Sequence, residues 1–482
     1  MSAFSGLNAA STALWAAQRG LDVTGQNIAN VNTEGYSRQR VELRAQGGTA
    51  VPAVHSVSSN VGAGVSTDQV IRIRDAFLEA RAQTEGAATA RLTAEQAAFT
   101  GVEDAFREPG DSGIQSMLAD VWAGWSDLAN NPLTTAPRGQ VIERMETLAA
   151  GIRTTRASLD KQWEQARDGL EALVTDVNTK TAAIAELNRN IQQGTASGLL
   201  VNELSDRRDA LVLDLAQAIG ATAVAREDGS VDVSLGGTTL VSGSSAIGVN
   251  LAGATSADDV DADVPRLVTD PGGATLRSDG TAGGQLKALN VIVPEYRDKI
   301  DALARSLATA FNAQHALGFD ATGAAGGPLF GDGPGPAVDL TKVTAANLTL
   351  RITDSAELAA ARTAPLPATT TPPAPERPSA DGSNADAFYK LSLAAGGLDA
   401  TYRELVVALG VQSSVATRDL GVQSVISTQV DAARESVSGV NLDEEMTNML
   451  SFQHAYNAAA RMVGAIDEAL DTLINRTGVV GR

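Results

Sequence analysis

The chain of 482 residues has no cysteine, three histidines, and only 4% aromatic residues. Without cysteine there is no disulfide framework, no thiolate zinc site and no thiol nucleophile, and a cysteine-free chain suits reducing and oxidising compartments equally. His55, His315 and His454 lie far apart and form no His-Glu-x-x-His pattern, so each is expected to be structural or at the surface. Few aromatics and abundant small residues favour long, closely packed helices and plain β-domains over a deep aromatic-lined pocket. Basic residues are also in deficit, 37 against 57 acidic, for a net charge of −20. Phosphate backbones and anionic membrane surfaces repel such a chain, which disfavours binding to nucleic acid and to an anionic membrane surface alike. No apolar run reaches the length of a membrane span, and Met1-Ser-Ala-Phe-Ser-Gly-Leu7 has neither the basic nor the apolar region of an ordinary signal peptide.

Motifs for catalysis and cofactors are missing as well. There is no Gly-x-x-x-x-Gly-Lys-Ser/Thr loop, and the glycines near Gly236 and Gly326 lack dinucleotide-fingerprint spacing. No glycine-flanked serine nucleophile stands out. Asp259-Val-Asp261-Ala-Asp263 alternates carboxylates as a calcium loop does. However, Val264 occupies the glycine position and Asp270 the position of the bidentate Glu, so it reads as a solvated acidic loop. Asp443-Glu444-Glu445 reads as the start of a helix capped by Asn441, with negative charge at the positive end of the dipole. The expectation is a chain with no catalytic, cofactor-binding or metal site.

Apolar periodicity at both ends is what the sequence does have. Leu7, Leu14, Leu21 and Ile28 recur by sevens, with Ala10, Ala17, Thr24 and Val31 interleaved. Near the C-terminus Met449, Tyr456, Val463 and Leu470 do the same, alongside Phe452, Ala459, Ile466 and Leu473. A strict seven-residue repeat keeps one apolar seam facing a partner helix. Seams of similar length at opposite ends predict that the two terminal helices pair with each other. Further apolar residues off the seam, Phe4 and Trp15 among them, predict association beyond that pair.

Between the ends, residues 75–220 read as helical, with long stretches at 75–106 and 139–193 and with Pro109, Pro132 and Pro137 in turns. Residues 221–280 read as β-like, and alternation around Asp228-Gly229 marks a hairpin. A helix is expected over 284–316, a short strand at Leu348–Ile352, and a long helix from Leu398 broken near Ser438-Gly439. Six of the sixteen prolines fall in 363–383, a polyproline-like linker or surface loop.

One stretch is more specific. Asn27-Ile-Ala-Asn-Val-Asn-Thr-Glu-Gly-Tyr-Ser-Arg-Gln-Arg-Val41 reads physically as a helix exit: Asn30 and Asn32 tolerate left-handed backbone, Gly35 permits positive φ, and Tyr36 can anchor the turn by burial. Placed after Phe4-Ser-Gly-Leu-Asn-Ala-Ala10, it resembles the N-terminal signature of flagellar rod, hook and hook-associated proteins, carried by Asn27, Ala29, Asn30, Thr33, Gly35, Tyr36, Arg38 and Gln39. Ser438 to Arg461 resembles the closing helix of the same axial family. The middle, from Arg72-Ile-Arg-Asp-Ala-Phe77 through Gly284-Gln-Leu-Lys-Ala-Leu289 and Leu307 to His315, is similar to the hook-associated branch.

The resemblance implies a multidomain α+β fold with paired N- and C-terminal coiled-coil helices, a long-helix domain and a smaller β-rich outer domain. The expected division is 1–35 with 438–482 as axial core, 36–74 with 398–437 as connection, 75–220 as long-helix domain and 221–397 as outer domain. The resemblance also implies a structural subunit that self-assembles helically at the hook–filament junction, with hook protein below and a second junction protein above. It implies export through the flagellar channel and a cytoplasmic export chaperone over roughly Asn441–Asn475. On this reading the terminal helices order only when neighbouring copies cover them. A divergent hook or distal-rod protein, a secreted cell-wall hydrolase with axial ends, and a displayed adhesin stay open at this point.

Overall fold

The computed structural model describes residues 3–46, 64–333, 338–364 and 380–476. Helix α1 (Ala3–Ala29) leads into a hairpin of β1 (Gln39–Ala45) and β2 (Val65–Arg72). Four helices follow: α2 (Ala76–Phe106), α3 (Ile114–Asn130), α4 (Thr135–Ala196) and α5 (Asn202–Ile219). Short strands come next: β3 (Thr222–Ala225), β4 (Val231–Leu235), β5 (Thr238–Ser242), β6 (Ser245–Ala246), β7 (Gly248–Ala252) and β8 (Arg266–Asp270). Helix α6 (Gly280–Lys287) passes through a π turn at Ala288–Ile292 into α7 (Val293–His315). After β9 (Phe330–Gly331) and β10 (Thr349–Leu350) come α8 (Ser383–Leu391), α9 (Leu398–Ser438) and α10 (Leu442–Asp471). The fold is α+β, with long helices and small antiparallel sheets.

By their contacts the residues form two units. The first comprises Met1–Ala87, Asn178–Gly248 and Ser424–Arg482, the second Ala88–Val177 and Val249–Gln423. The expected four-part division follows assembly layers and cuts the chain elsewhere. Contacts divide the 75–220 block because α4, at 62 residues, is ~90 Å long and supplies apolar faces to two cores.

In the first unit, β3 to β6 form a four-stranded antiparallel sheet. Its first hairpin turns where Asp228-Gly229 directs it, with Gly229 at φ 83° and Ala225 opposite Val231. Buried Asn188 of α4 fastens this sheet, donating to Val231 O at 2.8 Å and Gly243 O at 2.7 Å. Helix α5 stops at Gly220, whose φ of 77° is the left-handed cap for which glycine has no steric penalty.

The second unit has a core rich in aromatics. Trp125 stacks on Phe388 with centroids 3.8 Å apart, and Phe311 lies against Trp122, Phe330 and Phe388. Trp163 Nε1 donates to Leu289 O at 2.9 Å, inside the π turn that interrupts the expected 284–316 helix. His315 is fully buried and structural, whereas His454 is exposed and His55 lies outside the described residues. Pro137 departs from expectation: it lies inside the first turn of α4, where its missing N–H is one that no helix residue would have paired. Residues 365–379 of the proline-rich stretch lie outside the described residues, but its flanks meet, with Asp381 Oδ2 accepting from Arg362 N and Thr363 N.

Candidate functional site: the paired terminal helices

α1 and α10 pack against each other within the first unit. On α10 the covered positions are Glu445, Met449, Phe452, Ala459, Val463, Ile466 and Leu470, spaced by threes and fours except for one step of seven from Phe452 to Ala459. This is the apolar seam of the sequence with Glu445 added one step before it. Tyr456 and Leu473 share the register but stay exposed. On α1 the deepest stripe is Ala10, Ala16, Ala17, Gly20, Val23, Thr24 and Asn27, while Leu7, Leu14, Leu21 and Ile28 are half-buried. The small interleaved residues thus face the deepest contact, and the leucine row flanks it. Size explains this. A Cβ on Gly20 would stand 2.5 Å from the Phe452 ring, so that ring fits only against glycine. Ile466 packs near Gly6 at ordinary contact distance, 3.4 Å from where a Cβ would be, so that position does not demand glycine.

Below the pair, the chain exit forms a polar joint. Asn27 Nδ2 donates to Gln39 O at 2.9 Å and to Glu445 Oε2 at 3.0 Å. Its Oδ1 accepts from Tyr36 Oη at 2.8 Å and Gln39 N at 3.0 Å. All four hydrogen-bonding positions of a buried amide are filled, which is what makes burying it tolerable. Burial, together with the negative charges of Asp206 and Glu445, pushes the Tyr36 phenol up to about 12, so it stays a donor. Arg38 N donates to Ser438 O at 2.9 Å, at the end of α9. Its guanidinium reaches Glu445 through Nε and Glu444 through Nη1, both at 2.8 Å. Glu444 therefore serves Arg38, while Asn441 caps α10 by accepting from Asp443 N and Glu444 N.

The rest of the signature has smaller parts. Thr33 Oγ1 donates to Asn30 Oδ1 at 3.1 Å, and Asn30 Nδ2 to Gln26 O at 2.9 Å. Gly35 has the expected positive φ, 76°. Asn30 and Asn32 do not adopt left-handed backbone, because side-chain hydrogen bonds and the Gly35 turn reverse the chain without it. Ala29 is exposed.

A second set of charges anchors the joint. Arg72 Nη1 lies 2.8 Å from both Asp206 and Asp209. Arg74 also pairs with Asp209 and reaches Glu79 at 2.6 Å, and Glu79 takes Arg434 of α9 at 3.1 Å. Burial raises the Asp209 carboxyl, but Arg208, Arg74 and Arg72 outweigh it and hold the group below its ordinary value. Ser37 N donates to Asp206 Oδ2, and Asn202 Nδ2 to Gln39 Oε1. Sequence reasoning missed this anchor and the partner of Glu445. The one available signal was a charged residue on an apolar seam, seven before Phe452.

Comparison with known proteins agrees with the ends and with the middle. Residues 99–330 match a family model described as the flagellar hook-associated protein FlgK helical domain. Residues 7–36 match a flagella basal body rod protein model, and 434–476 a flagellar basal body rod FlgEFG protein C-terminal model. The chain is 32% identical to flagellar hook-associated protein 1 of Bacillus subtilis (strain 168) across 100% of both chains. It is 27% identical to the protein of that name from Escherichia coli (strain K12), over 97% of this chain and 99% of the other. The fold resembles the solved flagellar hook junction protein FlgK from Burkholderia pseudomallei, with a TM-score of 0.61 at 18% identity over 75% of this chain and 100% of that one.

Proposed function

The chain belongs to the flagellar hook-associated protein 1 family, and from that premise we propose that it builds the hook–filament junction through its paired terminal helices. It is a structural protein of the bacterial flagellum. In the reading proposed here, copies of the chain assemble helically with hook protein below and a second junction protein above. The subunit is exported through the flagellar channel and works outside the cell without catalysing a reaction. Before export a cytoplasmic chaperone covers α10, roughly Asn441–Asn475. The axial layer is 1–35 with 438–482, joined through 36–74 and 398–437 to the helical and outer parts.

The observation that carries this reading is the state of α10. One seam is covered by α1, and nearly all the rest of the helix is exposed, including Leu442, Met446, Leu450 and Met462. Such a helix gains a complete surround only from neighbouring copies, and repeated heterologous contacts build an open helical array. The seam residues Leu7, Leu14, Leu21, Ile28, Met449, Phe452, Tyr456, Val463, Ile466, Leu470 and Leu473 are assigned to this assembly.

The test is electron microscopy of the native bacterium with the gene deleted. Hooks without filaments, with flagellin lost to the medium, are expected. Cells lacking hooks would move the protein into rod or hook, and normal flagella would overturn the reading.

A further inference from the structure

In the second unit a groove of about 1020 Å³ opens between the end of α2 and the start of α9. Its floor is apolar, with Phe106, Val406, Val407 and Leu409, and Arg107 and Arg403 border it. Along α9 the floor continues as an exposed ridge: Val407, Val411 and Val422 are each 58% exposed, and Val415 is 40% exposed. Positions 411, 415, 418 and 422 follow the four–three spacing of a coiled-coil seam, with Arg418 as its one charged member. Exposed valines are poor choices for a helix on propensity alone, because their branched side chains lose rotamer freedom there. Four on one face are explained by an occupant.

Charge narrows the choice of occupant. Among the described residues neither Arg107 nor Arg403 has an ion-pair or hydrogen-bond partner for its guanidinium. Arg107 also sits at φ 55°, a backbone region that side chains rarely adopt. Glu103 and Asp104 border the same groove, so a uniformly acidic partner is disfavoured. The occupant that fits is a largely apolar helix edge with a single free carboxylate beside it. The first turns of α10 have this form. Leu442, Met446 and Leu450 make an i, i+4, i+8 ridge, each about half exposed, and the adjacent Asp443 carboxylate is unpaired among the described residues.

We propose that the α2–α9 groove and its valine ridge receive the Leu442–Met446–Leu450 edge of α10 from a second copy of this chain, with Asp443 set against Arg107 and Arg403. The mode is a helix laid in a groove, anchored at i, i+4 and i+8. The two surfaces differ, so the contact is head-to-tail and propagates. That the second copy is a neighbour in the axial array rests on the junction reading above.

The cysteine-free chain allows a clean test. Val407→Cys and Met446→Cys are introduced singly and together in the native bacterium, and isolated hooks are treated with a short bis-maleimide. A ladder of cross-linked copies from the double variant alone is expected. Absence of a ladder, while immunogold still finds the protein at the hook tip, overturns the contact. Dimers from Val407→Cys alone overturn the choice of occupant, because the face would then pair with itself. Absence of the unsubstituted protein from the hook tip overturns the junction reading and this inference with it. Independently, Val411→Asp with Val415→Asp leaves the chain folded and exported but lowers retention at the hook tip about tenfold, the scale of one lost anchor. Retention at the unsubstituted level overturns the proposal.

Discussion

At Arg38 the backbone amide closes the end of α9 on Ser438 O, while the guanidinium takes Glu444 and Glu445 at the start of α10. Glu445 is only 2% exposed, so removing its cation strands a buried charge. Arg38→Ala is expected to destabilise the first unit by about 3–5 kcal/mol in urea unfolding, the range for breaking a buried pair. Arg38→Lys recovers part of this, because an ammonium cannot serve two carboxylates with a planar fork. A loss below about 1 kcal/mol, as for an exposed pair, would remove Arg38 from the joint. His315 makes a separate, pH-dependent contribution in the second unit. Its Nε2 accepts from Ala359 N at 2.8 Å and its other ring nitrogen faces Gly327 O, an arrangement open only to the neutral ring. Burial lowers its pKa below 6.5, against opposing contributions from the Gly327 bond and Asp320. Below about pH 6.5 the unfolded chain therefore takes up a proton that the fold refuses, and stability falls as pH drops towards the folded value. Thermal unfolding of the second unit between pH 7 and pH 5 is expected to show this slope, and His315→Gln to flatten it.

At the scale of the element, the α1–α10 pair depends on size complementarity more than on a row of large residues. Phe452 needs Gly20, so Gly20→Val should force the helices apart, with a cost of about 1–3 kcal/mol from overpacking. Combining Gly20→Ala with Phe452→Leu should recover much of the loss of Gly20→Ala alone, since the two positions share one contact. Strictly additive effects in a double-mutant cycle would show that the ring and the glycine do not meet. The repeat at 7, 14, 21 and 28 revealed a helix and its period. It did not reveal which row would lie deepest, because apolarity marks a face while the depth of approach is set by the smallest residues on it. Asn441 shows the opposite case. Capping is local, so its role was legible from three adjacent residues.

At the scale of the whole molecule, two kinds of surface coexist. The aromatic core around Trp125, Trp163 and Phe311 is fully buried, while α10 is covered along a single seam. Backbone amides are protected according to the burial around them. In the isolated chain, amides of residues 442–471 should exchange much faster than those of 121–128 and 300–311, and should slow on incorporation into flagella. Equal protection of the two sets in the free chain would contradict ordering on assembly. On the proposed reading, the cost of ordering the pair would offset part of the contact energy and discourage association before export.

Period, caps and turns were fixed by sequence alone: the terminal repeats, the Asp228-Gly229 hairpin, the Asn441 cap and the break after Ser438 each depend on residues within a turn or two. Family membership was legible for a related reason, since the exit after α1 is one continuous string. Tertiary structure decided what depends on distance in the chain. It paired Arg38 with Glu445, joined Arg72 to Asp206, divided α4 between two cores and set Gly20 under Phe452. None of these partners lies near the other in sequence, and charge or size alone does not say which of many acids, arginines or rings a given residue will meet.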